Sequence, residues 1–135
     1  MRAVVAHPGE AVGDVVFTDE PLSFWRGLDP GTGRVSDGHH ELFGRSLQGK
    51  VLVLPAGRGS SSSSGVLLEA IRAGTAPAAI VTRRLEPIYV LGCVVADEIY
   101  GRSIPIVVVD GDTFAGLQQA RRLSIDRLGE LTLLD

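Results

Sequence analysis

The chain has 135 residues, is 44% hydrophobic and 21% charged, and carries a formal net charge of -3 at pH 7. This is a single domain's worth of ordinary globular composition, which excludes intrinsic disorder and lacks the basic footprint of a general nucleic-acid binder. One cysteine, Cys93, excludes an internal disulfide and an all-cysteine iron–sulfur site, and His7, His39 and His40 are too few and too scattered for a zinc centre.

In chain order, Arg2–Ala6 is a short apolar segment, and Gly9 and Gly13 bracket a turn. Val15-Val16-Phe17 reads as a strand, which ends at Thr18-Asp19-Glu20-Pro21. Residues 22–50 change character. Asp29-Pro30-Gly31-Thr32-Gly33 is a strong turn signal, so this stretch is expected to be irregular, with brief strands and no long helix. Loops of that length in a small domain are uncommon unless they carry function.

The second half alternates strand and helix. Lys50–Leu54 is an apolar run of strand length that stops at Pro55. Val66, Leu67, Leu68 and Ile71 then recur at helical spacing, and Gly74 is the expected stop. Ala78–Thr82 is a second buried strand. A helix over Val90–Tyr100 ends at Gly101, and Ile104–Val109 is a third strand. Thr113 is a candidate cap for a last helix through Leu117 and Ala120, and Leu131–Leu134 closes as a strand. This alternation predicts parallel pairing in the second half, with helices over buried strands. The fold class expected is α/β: a single compact β/β/α domain over residues 1–135, with a mixed sheet or a small barrel-like β layer. No run approaches the roughly 20 apolar residues of a membrane-spanning helix and no secretory leader is visible, so a cytoplasmic location, with no membrane or nucleic-acid partner, is expected.

The stretch that bears on chemistry is Pro55-Ala56-Gly57-Arg58-Gly59-Ser60-Ser61-Ser62-Ser63-Ser64-Gly65, between a buried strand and a helix start. Ligands gather at the carboxyl ends of strands in open α/β sheets. Glycines allow close backbone approach, amides at a helix start favour an anion, and Arg58 offers a fork for a carboxylate or phosphate. Gly57, Arg58, Gly59, Ser61 and Ser64 are therefore candidate binding residues for a small anionic molecule. Ser60 is the best placed of the serines for an activated hydroxyl, followed by Ser64. The alternative is a tight turn with one serine capping the helix. The P-loop pattern and the Gly-x-Ser-x-Gly elbow are both absent.

Here the chain resembles the small, swivelling domain of the aconitase X group, which includes small subunits of phosphomevalonate dehydratase and of hydroxyproline dehydratases. The matching stretches are Glu20–Gly33, His40–Gly44, Gly57–Ser60, Gly65–Leu68, Ala76–Ala79 and Gly101–Pro105, in order over most of the chain. The resemblance implies a swivelling domain docked on a large subunit that holds an iron–sulfur cluster or iron, with no cofactor on this chain. It implies a hydro-lyase reaction, the dehydration of a hydroxy acid, in which Ser60 is the proton acceptor. It also implies that this chain is inactive alone. The five consecutive serines depart from the family pattern and keep Ser64 beside Ser60. Two readings stand against this one: a non-catalytic anion-binding or assembly module, and a phosphohistidine carrier using His39 or His40. Asp29 and His39–Glu41 are expected to be solvated loop polars, and Cys93 a buried small hydrophobe.

Overall fold

The computed structural model describes residues 1–58 and 60–134. Strands β1 (Val4–His7), β2 (Ala11–Phe17), β5 (Val51–Leu54), β6 (Ala79–Thr82), β7 (Ile106–Val108), β8 (Arg122–Ile125) and β9 (Leu131–Leu134) form one sheet in the order β1-β7-β6-β5-β2-β8-β9. Strands β2, β5, β6 and β7 run parallel, while β1, β8 and β9 pair antiparallel with their neighbours. The sheet curls until its two edges touch. The Ala3 amide donates to the Gly129 carbonyl at 2.8 Å, and the Leu131 amide to the Met1 carbonyl at 2.6 Å. The irregular stretch holds a separate two-stranded ribbon, β3 (Leu28–Asp29) with β4 (Arg34–Val35).

Alternation along the parallel strands divides the core in two. Val51, Val53, Ala79, Val81, Val107 and Val109 face inward, where they meet Leu123, Ile125 and Leu131 from the far side of the curl. Leu52, Leu54, Ile80 and Ile106 face outward beneath α1 (Ser63–Ala73) and α2 (Pro87–Tyr100). The short helix α3 (Gly111–Gly116) and the single 3-10 turn after it add Phe114 and Leu117 to the interior cluster. Phe114 packs on Phe17 with ring centroids 4.9 Å apart. This is the expected mixed α/β single domain.

Four boundaries differ from the sequence expectation. The stretch through Gly13 is not a turn: β2 runs across it, pairing Gly13 with Leu123, and the residue is glycine because the Gly49 carbonyl lies where a side chain would stand. Helix α2 starts at Pro87 rather than Val90; proline suits the first turn, where its missing N–H leaves no bond unmade. The cap of α3 is Asp110, whose carboxylate accepts from the Thr113 amide at 2.8 Å, rather than Thr113 itself. Finally, β8 lies beyond the last predicted helix. Its alternating burial at Leu123 and Ile125 is a strand signal that the flanking arginines obscure. Helices α1 and α2 end at Gly74 and Gly101, both left-handed, as expected.

Candidate functional site

The serine loop leaves the carboxyl end of β5 and enters α1. Gly59 lies outside the described residues, so the expected role of Gly59 has no geometry attached to it here. Arg58 is exposed and Gly57 half-buried. A side chain at position 57 would meet the Tyr89 hydroxyl at 2.6 Å, so the glycine there is required by packing whatever else it does. Tyr89 is itself buried and donates to the Leu22 carbonyl at 2.9 Å. Burial raises its phenol well above the ordinary range. Leu22 pairs across to Gly57 in a parallel bridge, which lays the segment Pro21–Gly27 along the loop as a wall.

The five serines have separate surroundings. Ser60 is half-buried; its Oγ accepts from the Ser62 amide at 3.3 Å and its carbonyl accepts from the Ser63 amide at 3.0 Å. Ser61 and Ser62 are exposed. Ser62 is the first residue outside α1 and makes no side-chain cap bond. Ser64 donates its hydroxyl to the Ser61 carbonyl at 2.9 Å. The Ser64 and Gly65 amides find no acceptor among the described residues. Two of the loop's amides thus serve the turn internally, and among the described residues nothing occupies the two at the helix start, where an anion is favoured.

Ser63 was not singled out by sequence. It is 1% exposed, and its Oγ accepts from the Trp25 amide at 3.1 Å and lies 3.5 Å from the Ser23 hydroxyl. It clips the wall segment to the loop. The available signal was register: 63, 67, 70 and 71 share the buried face of α1. Beside this clip stand the exposed Trp25 and Arg26, whose guanidinium lies 5.7 Å from the indole centroid. Arg26 takes a left-handed backbone conformation, φ 65°.

The other expected residues fall away from this loop's chemistry. Asp29 is exposed and accepts from the Gly31 amide at 2.8 Å, a turn role. His39 is exposed. His40 is buried, accepts from the Leu42 amide at Nδ1 and faces the Glu20 carbonyl with Nε2, so both ring nitrogens are engaged. Glu41 accepts from the Thr18 hydroxyl at 2.5 Å, at the end of β2. Cys93 is fully buried, and burial pushes its thiol up to about 11, which suits a packing role rather than a ligand. Among the described residues no three His, Cys, Asp or Glu side chains converge on a metal position, and no helix is long and apolar enough to cross a membrane.

A curled mixed sheet with two helices on its outer face carries a serine-rich strand-to-helix loop walled by an irregular segment, in one mixed α/β domain. The aconitase X swivel domain model matches residues 1–133, and the chain belongs to that family. The chain is 48% identical over 118 residues to the cis-3-hydroxy-L-proline dehydratase of Hypocrea jecorina, covering 87% of this chain and 20% of that protein. It is 54% identical over 93 residues to the phosphomevalonate dehydratase small subunit of Methanopyrus kandleri, covering 69% of this chain and 67% of that one. It thus spans about a fifth of the length of the hydroxyproline dehydratases that it matches. The crystal structure of the holo-form of Thermococcus kodakaraensis aconitase X superposes with a TM-score of 0.84 at 30% identity, covering 99% of this chain and 97% of that one.

Proposed function

We propose that this chain is the small component of an aconitase X-type hydro-lyase that dehydrates a hydroxy acid of the phosphomevalonate or 3-hydroxyproline kind. In this reading Ser60 acts as its alkoxide: Oγ takes the proton from the carbon next to the one bearing the hydroxyl and becomes a neutral hydroxyl. The C–H electron pair becomes the new double bond, and hydroxide leaves from the neighbouring carbon. Lewis-acid assistance to that departure, from iron or an iron–sulfur cluster, belongs to a large partner chain. This chain alone is expected to be inactive.

The observation that carries the choice of Ser60 is the direction of its hydrogen bond. Ser60 Oγ receives an N–H, which stabilises the alkoxide form that a proton acceptor must start from. Ser64 gives its proton to a carbonyl, and losing that proton would set an alkoxide against a carbonyl oxygen. The amides of Ser64 and Gly65 and the exposed Arg58 add a field suited to an anionic substrate.

The test is reconstitution with an aconitase X-type large chain, assayed on both hydroxy acids. Ser60→Ala is expected to lower kcat at least about a hundredfold while the two chains still assemble, the size of a lost general base. Ser64→Ala is expected to retain activity. Full activity in Ser60→Ala would remove it from the role. Saturable anion binding by a pair that dehydrates neither acid would favour the non-catalytic module.

A further inference from the structure

One strand over from the serine loop, the carboxyl end of β6 delivers Arg83 and Arg84, which line a cleft of about 430 Å³ together with Pro21, Pro55 and Ala56. That volume lies within the range of small-ligand sites, roughly 300–1,000 Å³. The cleft and the loop share their chain: Pro55 and Ala56 lead directly into Gly57, and Pro21 leads into the wall segment. The Arg83 amide donates to the Pro55 carbonyl at 3.2 Å, which fixes the two strand ends against each other. The turn is held from below by the Thr82 hydroxyl on the Arg84 carbonyl, 2.7 Å.

Both arginines are exposed, and among the described residues no carboxylate pairs with either guanidinium. Arg83 is nevertheless ordered by its surroundings. Its guanidinium lies 5.8 Å from the Phe114 ring centroid, and the absence of a side chain at Gly111 leaves it room, since a Cβ there would stand 3.0 Å from it. Two planar guanidinium groups beside proline and alanine, with no counter-ion among the described residues, make a receptor for a planar or tetrahedral oxyanion.

We propose that the Arg83–Arg84 cleft is the subsite that holds the substrate's anionic group, carboxylate or phosphate, while the reacting carbons lie toward Ser60. This rests on the reading above and names the recognition part of the same site. An anchor on the anionic group fixes the near-attack pose that proton abstraction requires.

The first experiment needs no turnover. Amide resonances of the full chain are followed by NMR during titration with inorganic phosphate and, separately, with acetate, for the natural sequence and for the double variant R83Q/R84Q. Saturable shifts at Ala56, Gly57, Arg83 and Arg84 that vanish in the double variant are expected. Saturation by phosphate alone assigns the subsite to a phosphoryl group, and saturation by both to a carboxylate-tolerant one. Unsaturable shifts in the natural sequence, or shifts that persist in the double variant, overturn the proposal. The second experiment uses the reconstituted pair: R84Q is expected to raise KM tenfold or more with kcat within about twofold, the pattern of lost uniform binding. Loss of assembly with an unchanged KM in the assembled fraction would make these arginines docking residues instead and overturn the proposal. Because the titration reads binding alone, it decides the subsite even for a pair that dehydrates neither acid.

Discussion

Five identical side chains in a row take on different tasks because α1 starts among them. Entry into the helix turns Ser63 beneath it, while the turn that precedes it leaves Ser61 and Ser62 in solvent, with Ser60 and Ser64 half-buried on either side. Composition at this loop was legible; the division of labour was not, since it depends on where the helix begins. Ser63→Ala is expected to leave the Trp25 amide without its acceptor, at a cost of about 1–3 kcal/mol. Urea unfolding measures this, and no change in midpoint would show that another acceptor replaces the hydroxyl. Gly57→Ala probes the same wall from the other side. Its methyl would press on the buried Tyr89 ring, and about 1–3 kcal/mol of overpacking is expected. Tyr89→Phe added to Gly57→Ala removes the nearest atom and should recover part of that loss.

At the level of elements, β5 and β6 were readable because each is apolar on both faces: both are buried at every position, which produces continuous runs between turn residues. Strand β8 was not, since only Leu123 and Ile125 of its four residues are buried. The start of α3 escaped for a different reason. Thr113 is a good capping residue by type, but Asp110 reaches its amide first. Hydrogen bonding to the Thr113 amide, and then to its hydroxyl, lowers the Asp110 pKa below the ordinary 3.8. A depressed folded-state pKa means that the cap stabilises the protein fully above the unfolded value, and that this contribution disappears as pH falls through the lower, folded one. The thermal midpoint of the natural sequence should therefore exceed that of Asp110→Ala at pH 7, and the gap should narrow as pH drops below about 3.8. Asp110→Asn, which keeps an acceptor but cannot ionise, should hold its helix at both ends of that range. A gap that is constant with pH would mean that the carboxylate charge plays no part.

Across the whole molecule, one set of strands serves two cores. Val51, Val53, Ala79 and Val81 point into the curl, while Leu52, Leu54 and Ile80 point at the helices, so neither cluster can be lost without disordering the strands that build the other. This joint ownership is what places the serine loop: it leaves β5 where both clusters are complete, and its wall and the arginine turn hang from the same two strand ends. The sequence showed the two-sided burial but not the contact between the sheet's edges, because Ala3 and Gly129 meet through backbone groups that no side-chain pattern announces. Shared strands predict shared unfolding. Leu123→Ala in the interior and Leu67→Ala beneath α1, both fully buried, should each lower stability by about 2–5 kcal/mol. Each should shift a single denaturation curve, monitored in parallel by Trp25 fluorescence on the helical side and by far-ultraviolet dichroism. A Leu123→Ala protein in which the dichroism falls before the fluorescence would show that the curled sheet opens while the helical layer stands, and that the two cores are separable after all.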